Sequence, residues 1–278
     1  MRIDERTVAR QYETGGLLGS LRAALTAQGL APDTISVDDL APADEFHMGG
    51  RQATKEFHAQ LGWQSGQRLL DVGCGIGGAA RYVASRYGVD VTGLDLTAEF
   101  VETGNEVSRW VGLSDRVALR QGSALAPPFG DQAFDGAYMM HVGMNIADKP
   151  ALFAGLARVL RPGGTFGVYD VMRAGDGAVP YPVPWAESGA TCALASPADY
   201  EDALAAAGFE IAARRDRREF ALEFFHRMRA AMAGADGPPP IGLHLILGAN
   251  AALKVRHMIE ALTEGVIAPV EMIAVRRA

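Results

Sequence analysis

The sequence predicts a doubly wound α/β fold. Three observations carry that reading: short apolar runs alternate with helical patterns through residues 67–173, a glycine-rich turn follows the first run, and an acidic residue closes the second. Arg68–Val72 reads as the first strand, residues 73–78 as a tight turn, and residues 79–87 as a helix whose apolar face carries Ala80, Val83 and Ala84. A second strand over 90–94 ends at Asp95, and Thr97 stands at the N-cap position of a helix running to about Gly112. Strands over 117–121 and 134–140 come next, then a helix over 150–160. Arg161-Pro162-Gly163-Gly164 stops that helix and makes 165–171 a fifth strand. A parallel sheet needs this alternation, because each crossover helix covers a sheet face.

Two flanking segments differ in character. Residues 1–60 show helical patterns near 16–28 and 50–61 with an acidic loop between them, and are expected to form an N-terminal helical cap or lid. Residues 61–278 form the second unit, with insertions at 174–196 and 219–264 that would cap a substrate. The first insertion is rich in Gly and Pro, contains Tyr181 and Trp185, and is too long for an ordinary connection. A helix over 197–207, a strand over 209–214, helices over 219–232 and 251–264 and a last strand over 269–276 complete the chain; Pro238-Pro239-Pro240 reads as a loop.

Composition narrows the function. With 26 Lys and Arg against 33 Asp and Glu, the net charge of −7 offers no footprint for a phosphate backbone, and the cluster Arg214, Arg215, Arg217, Arg218 is broken by Asp216 and reads as a solvated strand end. No apolar run reaches the roughly 18 residues of a membrane span, and the start lacks a signal-peptide core, so a soluble, cytoplasmic protein is expected. Cys74 and Cys192 fit neither a disulfide framework nor a metal cluster, and the six histidines form no HExxH pair, so no metal is expected. The 33 glycines exceed the usual share of roughly 7% and need a local explanation.

The motif that carries chemistry is Asp71-Val72-Gly73-Cys74-Gly75-Ile76-Gly77-Gly78, with Asp95 closing the next strand. Glycines at 73, 75 and 77 let the backbone approach a ligand, and a carboxylate at the end of the second strand can accept bonds from both ribose hydroxyls. The spacing differs from the dinucleotide fingerprint, and Asp71 would repel a pyrophosphate at the helix N-terminus. It suits a ligand bearing a cationic amine.

On these residues the chain resembles the class I S-adenosylmethionine-dependent methyltransferases, with further likeness at Arg161-Pro162-Gly163-Gly164. The resemblance implies a Rossmann-like methyltransferase fold with a mostly parallel seven-stranded sheet and S-adenosylmethionine as cofactor. It also implies that Gly73, Cys74, Gly75 and Gly77 line the methionine and ribose portions. Asp71 would lie near the amino-acid end, Asp95 would hold the ribose, and Leu96 would lie against the adenine. Gln121-Gly122-Ser123-Ala124 aligns with the adenine-binding turn, with Ser123 where a carboxylate often stands. Residues 44–54 look like the lid segment of small-molecule methyltransferases such as the sterol, tocopherol and glycine or sarcosine enzymes. That likeness implies that His47, Gln52 and Thr54 close over the cofactor, with an ordinary loop histidine as the plain alternative for His47.

Methyl transfer needs alignment and exclusion of water more than acid–base machinery. Aromatic faces can stabilise the migrating cationic charge, and Tyr12, Tyr138, Tyr181 and Trp185 are candidates, with core packing the alternative for Tyr138. His141 follows the fourth strand at the sheet's carboxyl edge and is read as a general base or a strand cap. Met139, Met140 and Met144 form a soft wall or core filler; Arg51 and Arg173 bind a substrate carboxylate or make surface ion pairs; residues 241–247 with His244 line the substrate side or pack as a helix. The partners expected are a small-molecule methyl acceptor and, left open, a second copy of the chain in a homodimer; neither nucleic acid nor a membrane is expected. Two rivals stand beside this reading: a nicotinamide-dependent oxidoreductase on the same sheet, and a non-catalytic S-adenosylmethionine-binding regulator or scaffold.

Overall fold

Apolar runs buried on both faces force the middle of the chain into a sheet with helices on either side. The computed structural model describes residues 3–233, 240–248 and 250–278; Pro238 and Pro239 of the expected proline loop lie outside them. The strands are β1 (Arg68–Val72), β2 (Asp90–Asp95), β3 (Val117–Gln121), β4 (Phe134–Met140), β5 (Leu160–Arg173), β6 (Phe209–Asp216) and β7 (Ile267–Arg276), in the order β3-β2-β1-β4-β5-β7-β6. All neighbours pair in parallel except β7, which runs antiparallel to β5 and β6. The order reverses between β1 and β4, so a crevice opens at the carboxyl ends of these two strands.

Ahead of the sheet lie α1 (Glu5–Tyr12), α2 (Leu17–Ala27), α3 (Val37–Asp44) and α4 (Gly50–His58). Within and after it come α5 (Gly78–Tyr87), α6 (Ala98–Trp110), α7 (Lys149–Val159), α8 (Pro197–Ala206), α9 (Arg218–Met232), α10 (His244–Leu247) and α11 (Ala251–Thr263). One sheet face packs on α7 and α8 through Leu152, Phe153, Leu156, Tyr200 and Leu204. The other packs on α4, α5 and α6 through Phe57, Ala80, Val83 and Val101. Among the described residues no helix is long and apolar enough to cross a membrane.

The structure corrects several expectations. The acidic loop contains α3, because Ser36 and Asp39 form a reciprocal capping box that satisfies the free amides at its start. Residues 5–12 are also helical, capped by the Asp4 carboxylate. Thr97 occupies its N-cap position without a side-chain cap bond. Residues 161–164 loop out between two ladder pairs, Phe134 with Leu160 and Gly136 with Thr165, so β5 already begins at Leu160. The arginine cluster is a solvated strand end only in part: Arg214 and Arg215 are exposed, Arg215 pairing with Glu271, but Arg217, 9% exposed, lies between Glu56 and Glu271 with its guanidinium 4.0 Å from the Phe220 ring centroid.

Two buried or half-buried carboxylates fasten the N-terminal cap to this core. Asp44 and Arg81 are both fully buried at the side chain, with Arg81 Nη2 2.9 Å from Asp44 Oδ2 and Nη1 donating to the carbonyl of Ile76 at 2.7 Å. Gly78 is required at the start of α5, since a Cβ there would sit 2.1 Å from the Asp44 carbonyl oxygen. Glu99, in the first turn of α6, accepts from the backbone amides of Thr14, Gly15, Gly16 and Leu17, and so supplies the cap that α2 lacks of its own. Burial works against its charge, but the four amides outweigh it and hold the carboxyl down at about 2.

Removing one member of a buried ion pair strands the other, so Arg81→Met should destabilise the protein by about 3–5 kcal/mol, read as a lowered denaturant midpoint. The Glu99 contact has a depressed folded-state pKa, so its contribution is present above about 4.5 and lost as pH falls toward about 2. Hydrogen exchange should show the amides of residues 14–17 protected near neutral pH and opening across that window. Glu99→Ala should expose them at every pH, at a cost of about 1.5 kcal/mol for hydrogen bonds to a half-exposed charge.

Candidate functional site

The crevice at the switch point widens into a cavity of about 2300 Å³. A single small ligand usually occupies roughly 300–1,000 Å³, so there is room for two. Its floor is the turn after β1. Gly73 N donates to the Leu94 carbonyl at 2.7 Å and Cys74 N to the same oxygen at 3.1 Å, which ties the turn to β2. Gly75 has a left-handed φ of +53° and nothing within 4 Å of the place a Cβ would take, so the turn is bare toward the cavity. Asp95 lies across it, with Oδ2 accepting from Gly75 N at 2.8 Å and Oδ1 from Thr97 N at 2.9 Å. Each carboxylate oxygen keeps a further lone pair for a ligand.

Asp71 is 2% exposed, and its Oδ2 has no hydrogen-bond partner. Burial raises its carboxyl to about 8, only partly offset by the nearby Tyr138 hydroxyl. An unpartnered buried carboxylate on a cavity floor is stabilised by a cationic group.

Of the residues singled out from the sequence, Tyr12, His47, Asp71, Gly73, Cys74, Gly75, Asp95, Leu96, Ala124 and His141 all line this one cavity. Four other cofactor-site candidates do not. Gln52 is exposed on α4, bonded to Glu56 and Arg227. Gly77 is the N-cap of α5, packed against Leu119 and Arg81. Ser123 donates to Glu5 of α1 and accepts from Leu125 N, so it fastens the cap rather than facing the cavity. Thr54 is fully buried behind the wall.

The aromatic candidates separate in the same way. Tyr138 is buried beneath the floor against His58. Tyr12 and Trp185 line the cavity, and Asn145 joins them: the Tyr12 hydroxyl donates to Asn145 Oδ1 at 2.9 Å, and Asn145 Nδ2 donates to the carbonyls of Trp185 at 2.7 Å and Thr191 at 3.0 Å. The N-terminal cap and the 174–196 insertion thus meet over the opening. Met140, Met144 and His244 lie on the wall, whereas Met139 is in the core. Arg51 lines the cavity with its charge set against Glu45, whereas Arg173 lies off the cavity and donates to the carbonyls of Gly175 and Gly177.

His141 has φ +57°, donates its backbone N–H to Tyr169 at 2.7 Å and has no partner at Nε2. Burial, with His47 adding to it, lowers its pKa well below the usual histidine value, so the ring is neutral. Sequence reading missed Glu45 and Asn145. Glu45 was counted only as part of an acidic stretch, and the one signal for it was its position two residues before His47.

Residues 70–168 match the family described as methyltransferase domain. The chain is 32% identical over 170 residues to methyltransferase GfsG of Streptomyces halstedii, a match covering 60% of this chain and 58% of that protein. Across the curated relatives compared, the matched part is from 23% to 58% of their length. Among solved structures, geranyl diphosphate C-methyltransferase from Streptomyces coelicolor A3(2), in complex with Mg2+, geranyl diphosphate and S-adenosyl-L-homocysteine, superposes with a TM-score of 0.70 at 22% identity, over 98% of this chain and 97% of that one. The [4+2]-cyclase SpnF also superposes with a TM-score of 0.70, at 23% identity over 100% and 98% of the two chains. At these identities the superpositions establish the shared fold, a seven-stranded, mostly parallel sheet flanked by helices. With the glycine turn between its two carboxylates and the match through the core strands, residues 70–168 are similar to the methyltransferase domain family, and the fold around them is the one these superpositions share.

Proposed function

We propose that this chain transfers a methyl group from S-adenosylmethionine to a small-molecule acceptor held in the same cavity, as a soluble cytoplasmic enzyme. The observation that carries the reading is the bare glycine turn between Asp71 and Asp95. The residues fit the cofactor: Asp71 Oδ2 is buried without a partner, so an ammonium placed against it would favour the carboxylate form, and the free lone pairs of Asp95 suit a pair of ribose hydroxyls. Gly73, Cys74 and Gly75 would bring main chain against the ligand, Leu96 and Ala124 would flank its adenine, and His47 would close the lid side. When bound, the cofactor supplies a methyl group on a cationic sulfur. The chain's own residues then have to align the acceptor and exclude water. Tyr12 and His141, both on the cavity wall, are proposed at the acceptor end. The closure through Tyr12, Asn145 and Trp185 keeps solvent out.

Incubation with methyl-labelled S-adenosylmethionine and a metabolite extract, followed by mass spectrometry, should yield a labelled product; tight NAD binding without S-adenosylmethionine binding would refute the reading. Asp95→Ala should weaken cofactor binding by roughly 1.5–3 kcal/mol in calorimetry, the scale of hydrogen bonds to a charged group.

Asp71 should show a trade-off. Its folded-state pKa is raised from 3.8 to about 8, so between those values the native protein keeps a proton that the unfolded chain has lost, and stability falls as pH rises. Asp71→Asn should therefore raise the ligand-free melting temperature near pH 8, by roughly 2–4 °C per kcal/mol recovered, while weakening cofactor binding about tenfold or more.

A further inference from the structure

The cavity wall holds an assembly that the methyl-transfer reading does not use. Glu45 is 3% exposed, receives a hydrogen bond from the Thr54 hydroxyl, and lies 2.9 Å from Arg51 Nε and 2.8 Å from His47 Nε2. Burial pushes the Glu45 carboxyl up, but His47, Arg51 and Thr54 outweigh it and keep it below the usual carboxylate value. An ionised carboxylate only accepts, so His47 Nε2 carries a proton toward Glu45, and whenever the ring is neutral its lone pair is on Nδ1. That nitrogen is buried without a partner, although His47 lines the cavity.

The His141 ring, with its own unpartnered Nε2, lies 5.9 Å away between centroids at 77°. Two neighbouring rings on one wall therefore each keep an orphan nitrogen, which a polar group of a ligand would satisfy. Glu45, Arg51, His141 and Tyr169 face the His47 ring, with His58 behind them. The Tyr169 hydroxyl is already committed to the Met48 carbonyl, at 2.9 Å.

We propose that Glu45 and His47 form the general base of this site, His47 Nδ1 taking the proton from a hydroxyl of a neutral, largely apolar acceptor. The proposal rests on the methyl-transfer reading. The acceptor O–H gives its proton to Nδ1, the oxygen electron pair forms the bond to the methyl carbon, and the C–S pair remains on sulfur, which becomes a neutral thioether. The imidazolium formed is paired with the Glu45 carboxylate and returns its proton to solvent when product leaves. His141 has no such carboxylate; its nitrogen orients the hydroxyl.

The acceptor class follows from the rest of the wall. Phe224, Phe225, Met228, Ile246, Val255 and Met258 give it a broad apolar side. Carboxylates outnumber its cationic side chains, Arg6, Arg51 and Lys55, and Arg51 is already neutralised by Glu45. An anionic acceptor would be repelled, whereas a neutral polycyclic or long-chain alcohol or phenol would be held.

Two readouts test this on the full chain. In side-chain nitrogen-15 NMR without ligand, with His47 assigned from His47→Gln, the neutral ring should carry its proton on Nε2, and Glu45→Ala should move part of the ring population to the Nδ1-protonated tautomer. In methyl transfer to a panel of neutral polycyclic phenols, His47→Ala should lower kcat about 100-fold with little change in KM. It should have almost no effect on kcat for nitro-substituted members that are already ionised at about pH 8, which bind more weakly but need no base. A proton on Nδ1, a tautomer unmoved by Glu45→Ala, equal losses on neutral and ionised phenols, or no methylation of the panel by the parent protein would each overturn the proposal. Calorimetry of S-adenosylmethionine separates the two failures: a parent that binds the cofactor but fails these tests has lost the base alone, and one that does not bind it has lost the methyl-transfer reading.

Discussion

A buried ion pair between Asp44 and Arg81 joins the N-terminal cap to the rest of this molecule. Asp44 reaches down to Arg81 on α5 and so anchors α3 to the helix that begins at the glycine turn. Beside it, Glu45 holds Arg51, His47 and Thr54 of the same cap and so fixes the segment that walls the cavity. Neighbouring anions repel, and each of these two has its own cation held in contact. The Asp44–Arg81 pair favours one docking of the cap on the sheet, since sliding the cap would leave that carboxylate and that guanidinium buried and unpaired.

That docking determines the shape of the cavity. Strand order opens a crevice between β1 and β4, as in any sheet that reverses there, but an open crevice does not exclude water. The enclosure comes from elements outside the sheet. Glu99 draws residues 14–17 onto α6, Asn145 ties α1 to the 174–196 insertion, and α9 and α11 pack on that insertion through Ala221, Phe225, Met258 and Leu262. The resulting chamber has a polar floor of glycine and carboxylate and an apolar far side, a division that suits a charged cofactor and a less polar acceptor.

The groups at the floor and wall are costly to the ligand-free protein. Asp71 is buried without a partner at Oδ2, and His47 and His141 each hold an unsatisfied ring nitrogen. Such orphans are rare in folded proteins because each forfeits a hydrogen bond it had in water. Their concentration on one cavity is what a site looks like when its ligands complete it. His58 Nε2 and the Tyr138 hydroxyl are also without a partner, but these two residues lie behind the floor and do not line the cavity.

The sequence by itself determined the sheet and the cofactor turn. Strand period, glycine spacing and the carboxylates at 71 and 95 are local features, and local sterics convert them directly into β1, the bare turn and the end of β2. Most of the site residues singled out from it do line the cavity, because the carboxyl edge of such a sheet lies in one place. Only the tertiary structure decided what the flanking segments do. Gln52 and Ser123 sit close in sequence to true wall residues, yet the helix face of one and the hydroxyl direction of the other turn them away from the cavity. The arginine cluster looked like a solvated end until Glu56 and Glu271, from distant parts of the chain, were brought against Arg217. Glu45 is one acid among several in its stretch, and its place on the cavity depends on a fold of residues 45–54 that brings its carboxylate against His47, Arg51 and Thr54. Side-chain chemistry is written in the chain, but which charges meet, and which nitrogens are left without partners, is fixed only by packing in three dimensions.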